Sequence, residues 1–219
     1  MNISINYPKN GNKDEKSILF DIKGEKEYGL NKSIVNSLRR VLLSSIPTVG
    51  FKTDMDNSDI KMIKNTTSLH NEYLLHRLSL IPLYINPEDY KKNYLFKLKV
   101  ESSPDKPIIK VTAKDFQIFP LKEGINIDEN ENTIDLENYS DKEITETEKE
   151  KMFRPFQNKF YCEITELKTT KSELKEALEL YAVPRISVAY EDARWQAVSC
   201  ATYSFKRDEE LFKTILNEK

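Results

Sequence analysis

Hydrophobic positions predict one long amphipathic helix near the beginning of the chain. Between Asn31 and Pro47, apolar residues recur at spacings of three and four, as they do on one face of a helix. Asn31 is of a residue type that caps helices, and Pro47 cannot continue one. We therefore predict a helix over 31–46. Its apolar side comprises Ile34, Val35, Leu38, Val41, Leu42, Leu43 and Ile46.

Shorter patterns predict further helices and a set of strands. A helix over 68–78 is favoured by apolar residues at helical spacing, namely Leu69, Tyr73, Leu74 and Leu78. A short amphipathic helix is predicted over 208–217. Alternating patterns predict strands over 17–23, 94–102, 108–119, 160–167 and 197–205, with short extended pieces at 48–55 and 59–64. The segment 174–183 fits both periods, and its Leu, Glu, Lys and Ala content favours a helix.

The stretch 122–151 differs from the rest of the chain in composition. It contains eleven acidic residues and four Lys, with almost no aromatic residues. Because such a segment can bury little apolar surface, we expect a mobile surface loop. We also expect that removing 128–149 leaves the stability nearly unchanged, since shortening a loop changes its closure entropy only slightly.

The overall charge and the apolar runs exclude two classes of protein. Lys and Arg number 34 against 36 Asp and Glu, so the net charge of −2 argues against a general nucleic-acid binder. No apolar run reaches the length of about 18 residues that a membrane-spanning helix needs. Cys162 and Cys200 exclude a disulfide framework, and we expect them to be buried free thiols.

Candidate metal and catalytic patterns fail on their spacing. On a helix, His70 and His76 would point about 120° apart, whereas a zinc-binding pair lies four residues apart on one face. Asp54, Asp56 and Asp59 lack the Gly and Glu of a calcium loop, so we expect a polar turn. The sequence has no phosphate-binding or nucleophile motif. We therefore predict no metal, no cofactor and no catalysis, and instead a binding or assembly role.

Three stretches carry a more specific pattern. Residues 30–48 read LNKSIVNSLRRVLLSSIPT, residues 65–83 read NTTSLHNEYLLHRLSLIPL, and residues 192–203 read DARWQAVSCATY. In this order and spacing they resemble the RNA polymerase alpha family, which comprises the bacterial alpha subunit, the archaeal D subunit and the third-largest eukaryotic subunit. The second stretch is similar to the archaeal and eukaryotic branch. The bias toward Lys and Asn would suit a large DNA virus or an AT-rich protist.

The resemblance implies an α+β fold with a split dimerisation module. The module, helices on a mainly antiparallel sheet, would comprise 1–54 and 186–219, and a β-rich insert domain with the acidic loop would comprise 55–185. The resemblance also implies that Leu178–Val183 is a strand, against its local propensity. Because the family continues past Tyr203 with a long helix, we expect the chain to be truncated or to carry a shortened version of that element.

The resemblance also implies a function and its residues. The chain would be a non-catalytic assembly subunit of a multisubunit DNA-dependent RNA polymerase. It would pair with a smaller alpha-like subunit and form the platform for the two largest subunits, without sequence-specific DNA contact, in the nucleus or cytoplasm, or in a virion or viral factory. The implied partner interface comprises Ile34, Val35, Leu38, Val41, Leu42 and Ile46, and the implied large-subunit contacts are Arg39, Arg40, His76 and Arg77. The alternative is a homodimeric adaptor outside a polymerase.

Overall fold

The computed structural model describes residues 2–6, 17–24, 31–54, 57–91, 94–121, 142–157, 159–169, 175–206 and 212. This part of the chain has an α+β fold in which all paired strands are antiparallel, as predicted. Its helices are α1 (Lys32–Ser44), α2 (Asn71–Ser79) and α3 (Glu146–Phe153). Its strands are β1 (Asn2–Asn6), β2 (Leu19–Lys23), β3 (Pro47–Gly50), β4 (Thr53–Asp54), β5 (Asn57–Ser58), β6 (Ile60–Asn65), β7 (Tyr94–Glu101), β8 (Ile108–Thr112), β9 (Gln117–Pro120), β10 (Glu163–Lys168), β11 (Ala177–Ala182) and β12 (Arg185–Val188).

The chain divides into two compact units. The first combines both ends of the chain, Met1–Ser45 and Val198–Lys219, and holds α1 and the antiparallel pair β1–β2. The second, Ile46–Ala197, holds the other described helices and strands. Pairing of β3 with β12 keeps both ends of the second unit together.

A close approach of Trp195 to Gly50 also holds these two ends together. The indole is buried, and a Cβ added at Gly50 would lie 2.8 Å from Trp195 Cζ3, so only glycine leaves room for the ring. The Thr48 hydroxyl donates to the Trp195 carbonyl at 2.9 Å. The contact between Trp195 and Gly50 therefore lies within the second unit, whose ends are Ile46 and Ala197. The sequence analysis predicted domain boundaries at 54/55 and 185/186. That predicted division stays a prediction.

A four-stranded sheet in the order β6-β11-β7-β9 forms the framework of the second unit. Strand β11 pairs with β6 on one side and with β7 on the other, so it lies at the centre. The helix favoured by local composition at 174–183 is therefore wrong, and the strand implied by the resemblance is confirmed. Backbone pairing on both sides outweighs the modest helix preference of Leu, Glu and Ala.

A single hydrophobic core joins this sheet to the pair β8–β10 and to α2 and α3. Phe96 of β7 packs edge-on against Phe51 with a centroid distance of 5.4 Å, and Leu74 and Leu78 of α2 are fully buried in the same cluster. Helix α2 begins later than predicted, at Asn71, because the Thr67 backbone and hydroxyl are held in a turn by the side chain of Asn65.

The expectation of a loop over 122–151 is wrong for its last part. Residues 122–141 lie outside the described residues, but α3 follows from Glu146 and contributes to the core. Thr145 caps the helix, since the Glu148 backbone N–H donates to Thr145 Oγ1 and the Thr145 N–H donates to Glu148 Oε2 at 3.0 Å. The Thr145 hydroxyl also donates to Glu148 Oε2, at 2.8 Å, and the hydrogen bonds from the Thr145 N–H and hydroxyl lower the pKa of the Glu148 carboxyl. Phe153 is buried at the other end.

Two further expectations differ from the structure. The described part of 197–205 contains no regular strand, because alternation makes a strand only where a neighbouring strand pairs with it. The helix predicted over 208–217 falls almost entirely outside the described residues.

Cys162 and Cys200 are exposed, not buried. Cys162 precedes β10, and Cys200 lies in the irregular segment after Ala197.

Candidate interaction surface

Helix α1 has the boundaries that the sequence predicts, to within two residues. The Asn31 side chain accepts a hydrogen bond from the Ile34 N–H at 3.2 Å and so caps the first turn. At the other end, the Ser45 N–H donates to the Val41 carbonyl at 2.9 Å, and Pro47 begins β3. Local sequence signals therefore determine both ends of the helix.

The apolar side of α1 is open to solvent in the single chain. None of its residues is buried, and Leu38 is 42% exposed. Ile34 and Val41 are also exposed, and they lie on the same face as Leu38 because they are four and three residues away. We name Ile34, Leu38 and Val41 the apolar row. Large apolar side chains grouped in this way mark contact with another molecule.

The other predicted interface residues are less exposed than the apolar row. Val35 and Leu42 are half-buried on α1, and Ile46 is half-buried at the beginning of the second unit. The two Arg residues lie away from the row, at roughly 100° and 160° around the helix from Leu38. Arg39 Nε donates to Asn36 Oδ1 at 3.0 Å, and Arg40 is exposed. Both Arg side chains therefore lie outside the apolar row.

The remaining predicted contacts, His76 and Arg77, lie in the last turn of α2 in the second unit. Arg77 already has an internal contact, because its Nε donates to the Ile164 carbonyl and its Nη2 to the Glu163 carbonyl, both at 2.7 Å. These carbonyls lie at the irregular register of β10. The sequence carries no signal for this contact, since its partners lie 86 and 87 residues away.

A polar cluster that the sequence analysis missed lies close to His76. Arg194 donates through Nη1 to Thr53 Oγ1 at 2.8 Å and pairs through Nη2 with Asp192 Oδ2 at 3.0 Å. Hydrogen bonds from the Arg194 side chain and backbone lower the pKa of Asp192, and the charge of His76 adds to this effect. The motif that resembles the family, DARW, therefore holds β4 to the turn at 193–195.

Two kinds of feature are absent from the part of the chain that the structure describes. They contain no group of three or more His, Cys, Asp or Glu side chains arranged to hold a metal ion. Within the same ranges, no helix is both long enough and apolar enough to cross a membrane. The exposed apolar row is suited to contact with another molecule.

Comparison with known families identifies the family of the chain. A family model described as the RNA polymerase Rpb3/Rpb11 dimerisation domain matches residues 26–179, well over half of the chain. The chain belongs to this family. The match includes α1 and the apolar row, and it confirms the resemblance found in the sequence.

Three relatives of this family member are RNA polymerase subunits by name. The chain is similar to DNA-directed RNA polymerases I and III subunit rpac1 of Dictyostelium discoideum, with 26% identity over 87% of this chain and 51% of the relative. It is also similar to human RPAC1, at 34% identity over 34% of this chain and 18% of the relative. DNA-directed RNA polymerase subunit Rpo3 of Pyrobaculum arsenaticum is 42% identical over 32% of this chain and 24% of the relative. The chain spans about half the length of the Dictyostelium relative and less of the other two.

Proposed function

We propose that this chain is a non-catalytic assembly subunit of a multisubunit DNA-dependent RNA polymerase. It pairs through α1 with a smaller alpha-like subunit, and the pair forms the platform for the two largest subunits. Membership of a polymerase dimerisation-domain family and the names of the relatives support this proposal. Such a subunit acts where its polymerase acts, in the nucleus or the cytoplasm.

The observation that carries the proposal is the exposed apolar row on α1. A helix packed only within its own chain buries its apolar side, whereas no residue of α1 is buried. Removing this surface from water stabilises a complex by about 25 cal/mol for each Å². Interfaces of permanent complexes have such an apolar centre with polar residues around it. The Arg residues of α1 then lie outside the contact and remain available to a larger partner.

The test is substitution of Leu38 by Asp, with co-expression of the chain and the smaller alpha-like subunit from the same source. Pairing would enclose the new carboxylate without a cation, at a cost of several kcal/mol. We expect affinity for the small subunit to fall about a hundredfold or more, since about 1.4 kcal/mol corresponds to tenfold. The single chain should keep its fold, because Leu38 is partly exposed there. Co-purification measures the pairing, and circular dichroism measures the fold.

Ser33→Asp is the matched control. It introduces the same charge on the same helix, at an exposed position about 140° around the helix from Leu38 and at least about 80° from Ile34 and Val41. Wild-type pairing by Ser33→Asp and loss of pairing by Leu38→Asp support the proposal. Retention of the small subunit by Leu38→Asp contradicts it.

Size-exclusion chromatography distinguishes the homodimeric adaptor. If the purified chain alone runs as a dimer and keeps that mass when the small subunit is added, the apolar row pairs with its own copy. If the chain runs as a monomer and shifts on addition of the small subunit, the polymerase proposal is supported.

A further inference from the structure

A second exposed surface lies in the Ile46–Ala197 unit, on a tight hairpin after α3. Phe156 and Phe160 are 65% and 56% exposed, although large aromatic side chains are usually buried. Their backbones pair directly: the Phe156 N–H donates to the Phe160 carbonyl at 2.8 Å, and the Phe160 N–H donates back at 2.9 Å. We name Tyr84, Arg154, Phe156, Lys159 and Phe160 the aromatic hairpin.

The backbone of the aromatic hairpin is strained at two positions. Among the described residues, Arg154 and Gln157 are the non-glycine residues with positive φ, at 42° and 51°. Arg154 ends α3 in the left-handed conformation, a position where glycine is usual. A long side chain there costs stability, and strain of this kind concentrates at functional sites. Arg154 therefore occupies this position at the expense of stability.

The two cations of the aromatic hairpin lie against aromatic rings. The Arg154 guanidinium carbon lies 4.5 Å from the centre of the Tyr84 ring, and Lys159 Nζ lies 5.6 Å from the centre of the Phe160 ring. Both side chains are exposed. In the described ranges, neither forms an ion pair with a carboxylate of this chain. The hairpin thus presents apolar rings together with cations whose charge is not neutralised there.

We propose that the aromatic hairpin binds an acidic segment of a protein partner. Leu or Phe side chains of that segment pack on Phe156 and Phe160. Its carboxylates pair with Arg154 and Lys159. Arg and aromatic side chains are the types that dominate binding energy at protein interfaces. None of the residues of the aromatic hairpin belongs to α1 or its compact unit, and the proposal does not depend on the polymerase assignment.

The charges next to the hairpin favour a protein over a nucleic acid. The helix that leads into it exposes three carboxylates, those of Glu146, Glu148 and Glu150. Phosphate binding depends on a surplus of cations along the strand, and these carboxylates oppose it. The carboxylates of a peptide can be spaced widely along its chain. Two of them can therefore pair with Arg154 and Lys159 while the others stay away from the acidic side of α3.

Fluorescence anisotropy with the full chain tests the proposal. The probe is a labelled synthetic peptide in which Asp or Glu alternates with Leu or Phe. A matched peptide carries Asn and Gln in place of Asp and Glu, and a single-stranded oligothymidylate represents nucleic acid. We expect the acidic peptide to bind about tenfold more tightly than the amide peptide, and less tightly as salt is added.

Variants of the hairpin identify the site. Phe156→Ser with Phe160→Ser should weaken binding of the acidic peptide about tenfold, as loss of central interface residues does. Arg154→Asn removes the cation but tolerates the left-handed backbone, so it should weaken binding and reduce the salt dependence without unfolding α3. Tyr190→Ser is the control, since it removes an 85% exposed ring elsewhere in the same unit.

Four results would overturn the proposal. They are equal binding of the acidic and amide peptides, absence of binding by either, and equal weakening by Tyr190→Ser and the hairpin variants. The fourth is oligothymidylate binding that is tighter than peptide binding and is lost in the hairpin variants, which would identify a nucleic-acid surface. Circular dichroism of each variant confirms that it is folded.

Discussion

At the residue scale, Asp59 holds several strand ends of the second unit together. Its buried carboxylate accepts hydrogen bonds from Arg185 Nε at 2.7 and 2.9 Å and from the Lys52 N–H at 2.8 Å. Its carbonyl accepts the Val183 N–H at 3.1 Å. A buried carboxylate satisfied in this way resists replacement, because removing one partner of such a pair costs about 3–5 kcal/mol.

Tyr90, close to this pair, gives a prediction about alkaline pH. Its hydroxyl donates to the Pro184 carbonyl at 2.7 Å, and burial, then the charges of Asp59 and Tyr94, raise its pKa well above the ordinary value. As the pH rises, the unfolded chain therefore loses the Tyr90 hydroxyl proton before the folded chain does. The contribution to stability is fully present below about pH 10 and falls above it, by up to about 1.4 kcal/mol per pH unit. Urea unfolding between about pH 8 and pH 11 measures the slope.

Tyr90→Phe should reduce this slope, at a cost of about 1 kcal/mol near neutral pH from the lost hydrogen bond. The matched control, Tyr190→Phe, removes an exposed phenol and should leave the slope as it is. An unchanged slope in Tyr90→Phe would show that other groups cause the alkaline loss.

Sequence patterns predicted residues whose partners are local and missed those whose partners are distant. The Asn31 cap is readable because it acts three residues along the chain. Asp59 was predicted as part of a polar turn, yet it pairs with a residue 126 positions later. Arg77 stays a predicted large-subunit contact, and its hydrogen bonds to the carbonyls of Glu163 and Ile164 had no signal in the sequence. Composition shows which residues are charged, and only the fold brings their partners close.

At the element scale, α3 shows how composition can mislead. Its segment is acidic and has few apolar residues, but Thr145 and Glu148 form a capping box that the sequence does contain. One buried aromatic side chain then joins the helix to the core. We therefore expect that removing 128–149 lowers the stability, contrary to the expectation from composition, because the deletion takes away the cap of α3. Composition misleads at β11 as well, where backbone pairing with β6 and β7 outweighs the helix propensity of its residues.

Phe153→Ala tests whether α3 belongs to the core. The ring is 6% exposed, stacks on Phe116 and meets Phe96 edge-on, each with a centroid distance of 6.1 Å. We expect a loss of about 3–5 kcal/mol, which lowers the melting temperature by roughly 10 °C for a chain of this size. Phe156→Ala, three residues later and exposed, should change stability by less than about 0.5 kcal/mol. Similar melting temperatures for both variants would show that α3 does not pack.

At the scale of the whole molecule, the predicted contacts for large partners are divided between the two compact units. Arg39 and Arg40 belong to the first unit, and His76 and Arg77 belong to the second. The family resemblance supplied these residues, since helix position alone distinguishes only an apolar from a polar side. The approach of Trp195 to Gly50 inside the second unit had no signal in the sequence, because the two residues are far apart along the chain.

Replacing both Arg39 and Arg40 by Ala tests whether α1 uses different residues for its two proposed contacts, with the small subunit and with the two largest subunits. Under the proposed function, pairing with the small subunit should remain intact, because both side chains lie away from the apolar row. Recovery of the two largest subunits should fall about tenfold, the effect of losing roughly 1.4 kcal/mol. Affinity purification with quantification of each subunit measures both. Lys32→Ala removes an exposed cation from the same helix and should have little effect. Full recovery of the largest subunits by the double variant would place their contact elsewhere.

The exposure of the apolar row also bears on the lifetime of the chain before assembly. A partner that binds only the folded state stabilises it by mass action, by about 2.7 kcal/mol at a hundredfold excess over the dissociation constant. An unassembled chain lacks this contribution and presents Ile34, Leu38 and Val41 to chaperones and proteases. Under the proposed function, supply of the partner then determines how long each copy persists, and a melting temperature that rises with partner concentration is the sign of this dependence.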